Sequence, residues 1–137
     1  MPLDIYDGRT ILAPDNGPPG TPAAQDIQLG FSNGYHPNEA LDEAGVAHAV
    51  TLVQGKCLFL SRTPPTSVRV FTIRRNLVQI GTATMDPATA GLGPVYFGTV
   101  ALISTPLALA VGDLIDWLAP PGVDATLVDG VCVLGSL

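Results

Sequence analysis

The stretch from residue 68 to 85 limits the fold more than any other part of the chain. It reads Val-Arg-Val-Phe-Thr-Ile-Arg-Arg-Asn-Leu-Val-Gln-Ile-Gly-Thr-Ala-Thr-Met. Alternation places Phe71 and Ile73 on one face of a strand, and Val68, Val70 and Thr72 on the other. After Arg75-Asn76-Leu77 a second strand carries Val78 and Ile80 on one face and Gln79 and Gly81 on the other. A β-branched and aromatic composition at period two is a strand signal, and Asn76 suits the left-handed conformation of a tight turn. Strand-like runs recur at 46–53, 56–62, 94–104, 114–119 and 126–134. Asp86-Pro87, Gly91-Leu92-Gly93-Pro94, Val111-Gly112-Asp113 and Pro120-Pro121-Gly122 punctuate them. That rhythm predicts an all-β, antiparallel, jelly-roll-like sandwich, with about six strands after residue 46 and one or two more before it.

Residues 1–45 differ in kind. They hold six of the 13 prolines and six of the 15 glycines. The run 14–22, Pro-Asp-Asn-Gly-Pro-Pro-Gly-Thr-Pro, lacks donors and fixes its backbone, so it reads as an extended arm or long loop. Ile5, Tyr6, Ile11, Leu12, Ile27, Leu29 and Phe31 are apolar anchors along it, more than a solvated tail needs. Pro37 to Ala44 reads as one short helix, with Pro in the first turn, acids toward the N-terminus and Gly45 at the stop. The predicted division is thus an arm with a short helix over 1–45 and a β-sandwich over 46–137.

Composition restricts the partners. Only 13% of the 137 residues are charged and 47% are hydrophobic, with mean hydropathy +0.37; ordinary soluble domains are about 25% charged. No apolar run free of breakers reaches the ~20 residues of a membrane helix, and no signal-peptide pattern opens the chain. Excess apolar surface then points to a protein partner. The run 95–103 shows this most: Val95, Phe97, Ala101 and Ile103 on one face are no less polar than Tyr96, Val100 and Leu102 on the other. Such a strand needs cover on both sides, from the arm or from another subunit.

Net charge is −6, which argues against nucleic acid. Five of the six bases, Lys56, Arg62, Arg69, Arg74 and Arg75, fall within twenty positions, and no base follows Arg75. Either these strands pair with acidic neighbours inside the fold, or Arg62, Arg69, Arg74 and Arg75 meet an acidic face of a second subunit.

No catalytic pattern is present. His36 and His48 belong to no metal-ligand spacing, and no GxSxG, P-loop or GxGxxG occurs. Asp113, Asp116, Asp124 and Asp129 follow the habit of turn formers rather than calcium ligands. Trp117 and Tyr96 are either a sugar-stacking platform or core and interface residues; the second is favoured. Cys57 and Cys132, isolated and without a CxxC, read as free thiols. The reading is of a chain without enzymatic activity and without metal or cofactor.

Phe71-Thr72-Ile73-Arg74-Arg75-Asn76 followed by Gln79-Ile80-Gly81-Thr82-Ala83-Thr84 resembles a hairpin of structural proteins in tailed bacteriophages. The resemblance continues through Val111-Gly112-Asp113-Leu114-Ile115, Leu118-Ala119-Pro120 and Asp124-Ala125-Thr126-Leu127-Val128-Asp129, and covers about half of the chain. Leu77 departs from it, since that hairpin usually has Gly after Asn. An arm plus one sandwich, without a long shaft, is similar to a small capsid cement or decoration protein. The resemblance implies a virion protein on the outer capsid surface, assembled in the host cytoplasm, with the major capsid protein as partner and a homodimer or homotrimer as its own state. It implies neither nucleic acid nor membrane as a partner. The alternative it leaves open is a tail-fibre or receptor-binding module that recognises a host glycan. Partner-contact candidates are Ile5, Tyr6, Ile11, Leu12, Arg62, Arg69, Arg74, Arg75, Tyr96 and Trp117.

Overall fold

The alternating stretch folds as a hairpin. In the computed structural model, which describes residues 26–87 and 95–136, Arg69–Arg75 (β5) and Val78–Met85 (β6) pair antiparallel with Arg75 opposite Val78. The connection is therefore the two-residue turn Asn76-Leu77, with φ of 52° and 71°. Phe71 and Ile73 are fully buried, and Val70 faces outward. One extra residue on β6 breaks the alternation, because Arg74 pairs with Gln79 and Ile73 with Gly81. Ile80 is left without a partner of its own and turns inward, buried, although strict alternation puts it on the face of the exposed Val78.

Eight strands make one antiparallel sheet. Besides β5 and β6 these are Ile27–Phe31 (β1), Ala40–Gly45 (β2), Leu58–Ser61 (β4), Tyr96–Leu102 (β7), Leu114–Leu118 (β9) and Gly130–Leu134 (β10). Their order is β1-β10-β4-β7-β6-β5-β9-β2. The sheet curls into a nearly closed, barrel-like sandwich. Val50–Leu52 (β3) and Leu107–Leu109 (β8) form a separate two-stranded sheet. A single 3-10 turn, Gln54–Lys56, is the one helical piece among the described residues. Its Gln54 side chain stands in for a missing strand: Nε2 donates to the Val100 carbonyl, and Oε1 accepts from Leu102 N–H at 2.7 Å.

The short helix expected at 37–44 does not form. Asn38 has φ of 58°, and Ala40–Gly45 is strand β2, laid along β9 with Ala44 opposite Ile115. The reason is non-local. Two helical turns are marginal by themselves, whereas β9 carries Ile115 and Trp117 into the core and needs a partner for its free edge. Both β1 and β2 precede Val46, so among the described residues the main sheet begins at Ile27 and not at Val46.

The sheet's two ends meet at a seam that one side chain bridges. Asp42 Oδ2 accepts from Gly30 N–H on β1 at 2.9 Å, and Oδ1 accepts from Glu43 N–H on β2 at 2.9 Å. Inside, Phe31, Tyr35, Phe59, Phe71 and Trp117 make one aromatic cluster, with Phe71 and Trp117 centroids 5.1 Å apart. Gly98 is required where β7 crosses this core, since a β-carbon there overlaps the Thr84 carbonyl and crowds Phe59. Cys57 and Cys132 are free. Cys57 sits just before β4, and the register of β4 with β10 sets Cys132 opposite Phe59.

Candidate interaction surface

Most of the expected contact residues are engaged within the chain. Arg74 makes two bonds to Asp116, Nε to Oδ1 at 2.9 Å and Nη2 to Oδ2 at 2.6 Å, and this bond raises the pKa of Arg74. Arg62 Nε donates to Asp129 at 2.8 Å, and Arg69 Nε lies 3.6 Å from Asp124. Arg75 donates to the Ala108 carbonyl at 2.9 Å. The acidic partners of Arg62, Arg69 and Arg74 thus lie on this same chain, as the internal alternative had it. Trp117 is fully buried, so it is a core residue and not a contact residue. The Tyr96 ring packs against the core from the inward side of β7. These two side chains therefore form no sugar-stacking platform. Ile5, Tyr6, Ile11 and Leu12 lie outside the described residues.

The exposed apolar surface sits elsewhere. Among the described residues four large apolar side chains are the most exposed: Leu77 at 69%, Val78 at 67%, Val111 at 66% and Ile103 at 64%. Leu77 and Val78 belong to the β5–β6 turn, Val111 to the β8–β9 turn, and Ile103 to the exit of β7, where its N–H donates to the Ile80 carbonyl at 2.9 Å. The two turns are locked together. Asn76 N–H donates to the Leu114 carbonyl at 2.8 Å, and Asn76 Oδ1 accepts from Leu114 N–H at 2.9 Å. Asn76 Nδ2 donates to Asp113 Oδ1 at 3.1 Å, while Asp113 Oδ2 accepts from Ala110 N–H at 2.9 Å. The Ala110 N–H and then the Asn76 amide hold the Asp113 carboxyl below its usual range. Leu77 adopts a left-handed conformation that costs a side chain about 1–2 kcal/mol. The locked turn imposes it and presents the leucine to solvent. Sequence reasoning missed this end of the molecule; the signal available was a leucine where a tight turn favours glycine.

Away from these turns, Asp124 is the centre of a hydrogen-bonded cluster. Asp124, buried, accepts from Thr66 N–H at 2.7 Å, Thr66 hydroxyl at 2.9 Å, Ser67 N–H at 3.2 Å and Thr126 N–H at 3.1 Å. Burial pushes this carboxyl up. The bonds from Thr126 and Thr66 outweigh that effect and hold it well below the carboxylate range. Tyr35 hydroxyl donates to the Gly122 carbonyl and accepts from Asp124 N–H at 3.0 Å. The carboxylate thus ties the loop at 66–67 to its own turn at 124–126, with its lone pairs taken up by these donors.

The outer surface of the sheet has two characters. Over β5, β6, β9 and β2 it carries Thr72, Thr82, Thr84, Arg74, Asp116 and Glu43. Over β10, β4 and β7 it carries Val131, Val133, Leu58, Leu60 and Phe97, with Leu60 opposite both Val131 and Phe97. These three strands contain no charged residue. Phe97 is 48% exposed there. Among the described residues no three His, Cys, Asp or Glu side chains gather to hold a metal ion, and no helix is long and apolar enough to cross a membrane.

Comparison with protein-family models, curated proteins and solved structures finds no match to this chain.

Proposed function

We propose that this chain is a virion structural protein that binds a bacteriophage capsid from outside and stabilises it, with the major capsid protein as partner. In this reading the sandwich is jelly-roll-like, the Pro/Gly-rich N-terminal part of the chain serves as an arm toward a neighbouring subunit, and the protein works without catalysis. The observation that carries the reading is Leu77, an exposed leucine held at φ 71° by a hydrogen-bonded turn among three other exposed apolar side chains. Strained positions persist where surrounding structure over-determines them, and they cluster at binding sites. An apolar end held rigid loses little freedom on docking, so more of its burial energy becomes affinity. Full burial of a Val, Leu or Ile side chain contributes roughly 1.5–3 kcal/mol, and these four have over half of that still to gain, about 5 kcal/mol together before association costs. Repeated over many equivalent shell positions, a contact of that size adds up mechanically. The phage-like hairpin and turns between residues 68 and 137 supply the choice of partner.

The test is sedimentation of the purified protein with capsids that lack it. Wild type is expected to travel with the shells, and Leu77→Asp with Val111→Asp to remain behind while still folded by circular dichroism. A folded wild type that never travels with shells overturns the assignment. A double variant that travels as well as wild type overturns the role of this end.

A further inference from the structure

β1 and β2 stand at the two ends of the eight-stranded order, and each is paired on one side only, β1 with β10 and β2 with β9. Among the described residues no ladder joins them to each other. We propose that the seam between β1 and β2 is a strand-acceptor site for an extended segment of a partner protein that carries a lysine or arginine among apolar residues. In the free chain the Asp42 carboxylate holds the place of that segment. The site uses none of the residues of the proposed capsid contact, and the inference goes beyond that assignment.

Three observations select this occupant. The first is where the main-chain groups point. In an antiparallel ladder alternate residues turn both N–H and C=O to the same side. Gly30 turns away from β10, since its N–H donates to Asp42 Oδ2 at 2.9 Å, and Gln28, two residues earlier, turns the same way. Across the seam Glu43 N–H on β2 donates to the other oxygen of the same carboxylate at 2.9 Å. Two strand donors are thus met by a side chain where the carbonyls of a strand would stand. Such edges are templates for another chain, and strand addition draws its affinity from main-chain hydrogen bonds.

The second is room. A groove of about 520 Å³ opens over the seam and is lined from β1, β2 and β10. Gly30 and Gly34 leave part of its wall at main-chain height, while Phe31, Leu41 and Val131 make the rest of it apolar. An added strand as long as β1, five residues, turns alternate side chains into this groove and the others away from it.

The third is charge. Glu39 and Asp42 line the groove, and no lysine or arginine does. A second hollow of about 320 Å³ shares Leu41 and Asp42 with it and adds Glu43 and Asp116, of which Asp116 is paired to Arg74. The His36 N–H holds the Glu39 carboxyl below its usual range, so it stays ionised at neutral pH. This margin therefore favours a cation and repels an acidic segment. A second copy of the chain supplies the cation poorly, because net charge is −6 and Arg62, Arg69, Arg74 and Arg75 are engaged within its own fold. When a carbonyl of the segment takes the Gly30 N–H, the Asp42 carboxylate turns to the cation of the segment, so binding exchanges one set of bonds for another and leaves no buried donor unmet.

The experiment titrates the full chain, isotope-labelled for amide NMR and without capsids, with two end-blocked peptides, Val-Lys-Val-Lys-Val and Val-Glu-Val-Glu-Val. Expected with the lysine peptide are shifts of the Gln28, Gly30 and Glu43 amide signals and slower deuterium exchange at Gln28 and Gly30. The glutamate peptide is expected to bind at least roughly tenfold more weakly. Glu39→Gln with Glu43→Gln keeps the acceptor for His36 N–H and removes two charges at the margin. It is expected to weaken the lysine peptide several-fold and to leave binding of Val-Thr-Val-Thr-Val unchanged. Absence of binding by the lysine peptide at millimolar concentration overturns the proposal, as do equal affinities for the two charged peptides or shifts that saturate away from the seam. Seam amides that shift with protein concentration alone make a second copy the occupant and overturn it. Contacts of residues 1–25 with Gly30 and Leu41 in the free protein make the chain its own occupant and overturn it as well.

Discussion

Replacing Asp124 by Asn is the most informative perturbation of the fold, because it preserves volume and removes only charge and acceptor capacity. Asp124 Oδ2 receives the N–H groups of Thr66 and Ser67 and the Thr66 hydroxyl, and Oδ1 receives Thr126 N–H. An amide has one oxygen. Whichever way Asn is turned, its NH2 faces at least one backbone N–H, which is left unsatisfied at a cost of about 1–3 kcal/mol. Arg69 adds to this. Its Nε is buried without a hydrogen-bond acceptor and loses the carboxylate 3.6 Å away. The guanidinium is partly open to solvent and also donates to the Gly122 carbonyl, so the loss there is below the full penalty of an orphaned buried charge. Together these give about 2–4 kcal/mol. For a domain of this size that lowers the melting temperature by roughly 10 °C. The sign with pH follows from the depressed folded-state value of this carboxyl. Its stabilisation is complete above the unfolded carboxylate value near 4, and is lost as pH falls from there toward the folded value. Urea unfolding of both proteins at pH 7 and at pH 3 measures it. The stability gap is expected to narrow at the lower pH. A gap below about 1 kcal/mol at pH 7, or one that does not change with pH, refutes the account of Asp124 as a charged tie between the loop at 66–67 and the turn at 124–126.

Leu77→Gly removes a left-handed leucine and is expected to raise unfolding stability by about 1 kcal/mol in urea while weakening capsid sedimentation. Arg74→Ala leaves Asp116 buried without its bidentate partner and is expected to destabilise by about 2–4 kcal/mol, whereas Arg75→Ala, which loses one exposed bond, is expected to change stability by less than about 1 kcal/mol; thermal unfolding compares them. Burial pushes up the thiol pKa values of Cys57 and Cys132, so both are expected to resist alkylation near pH 8, with Cys132, fully buried, modified only on unfolding, as mass spectrometry reads directly.

Period-two alternation is set by local sterics, and for that reason the sequence alone determined the all-β class, a hairpin over 68–85 connected around Arg75-Asn76-Leu77, and the shared face of Phe71 and Ile73; that the turn is the two residues Asn76-Leu77 and that this face is the buried one came from the structure. What lay beyond it depends on which edges meet. Residues 40–45 have local features of a helix start, yet they form β2 because β9 offers them a full ladder and a core face. The inward turn of Ile80 depends on one unpaired residue in the β5–β6 register, which no alternation count contains. Clustered arginines looked available to a partner until β9 and the loops brought Asp116, Asp124 and Asp129 beside them from 42 to 67 positions away. Trp117 has the same composition signal in a core as on a surface, and only the closing of the sheet around Phe31, Phe59 and Phe71 decided for the core. Local rules act over a few residues and are written in the order of the chain. Pairing of distant edges is chosen by the free energy of the whole packed sheet, and so it appears only in the tertiary structure.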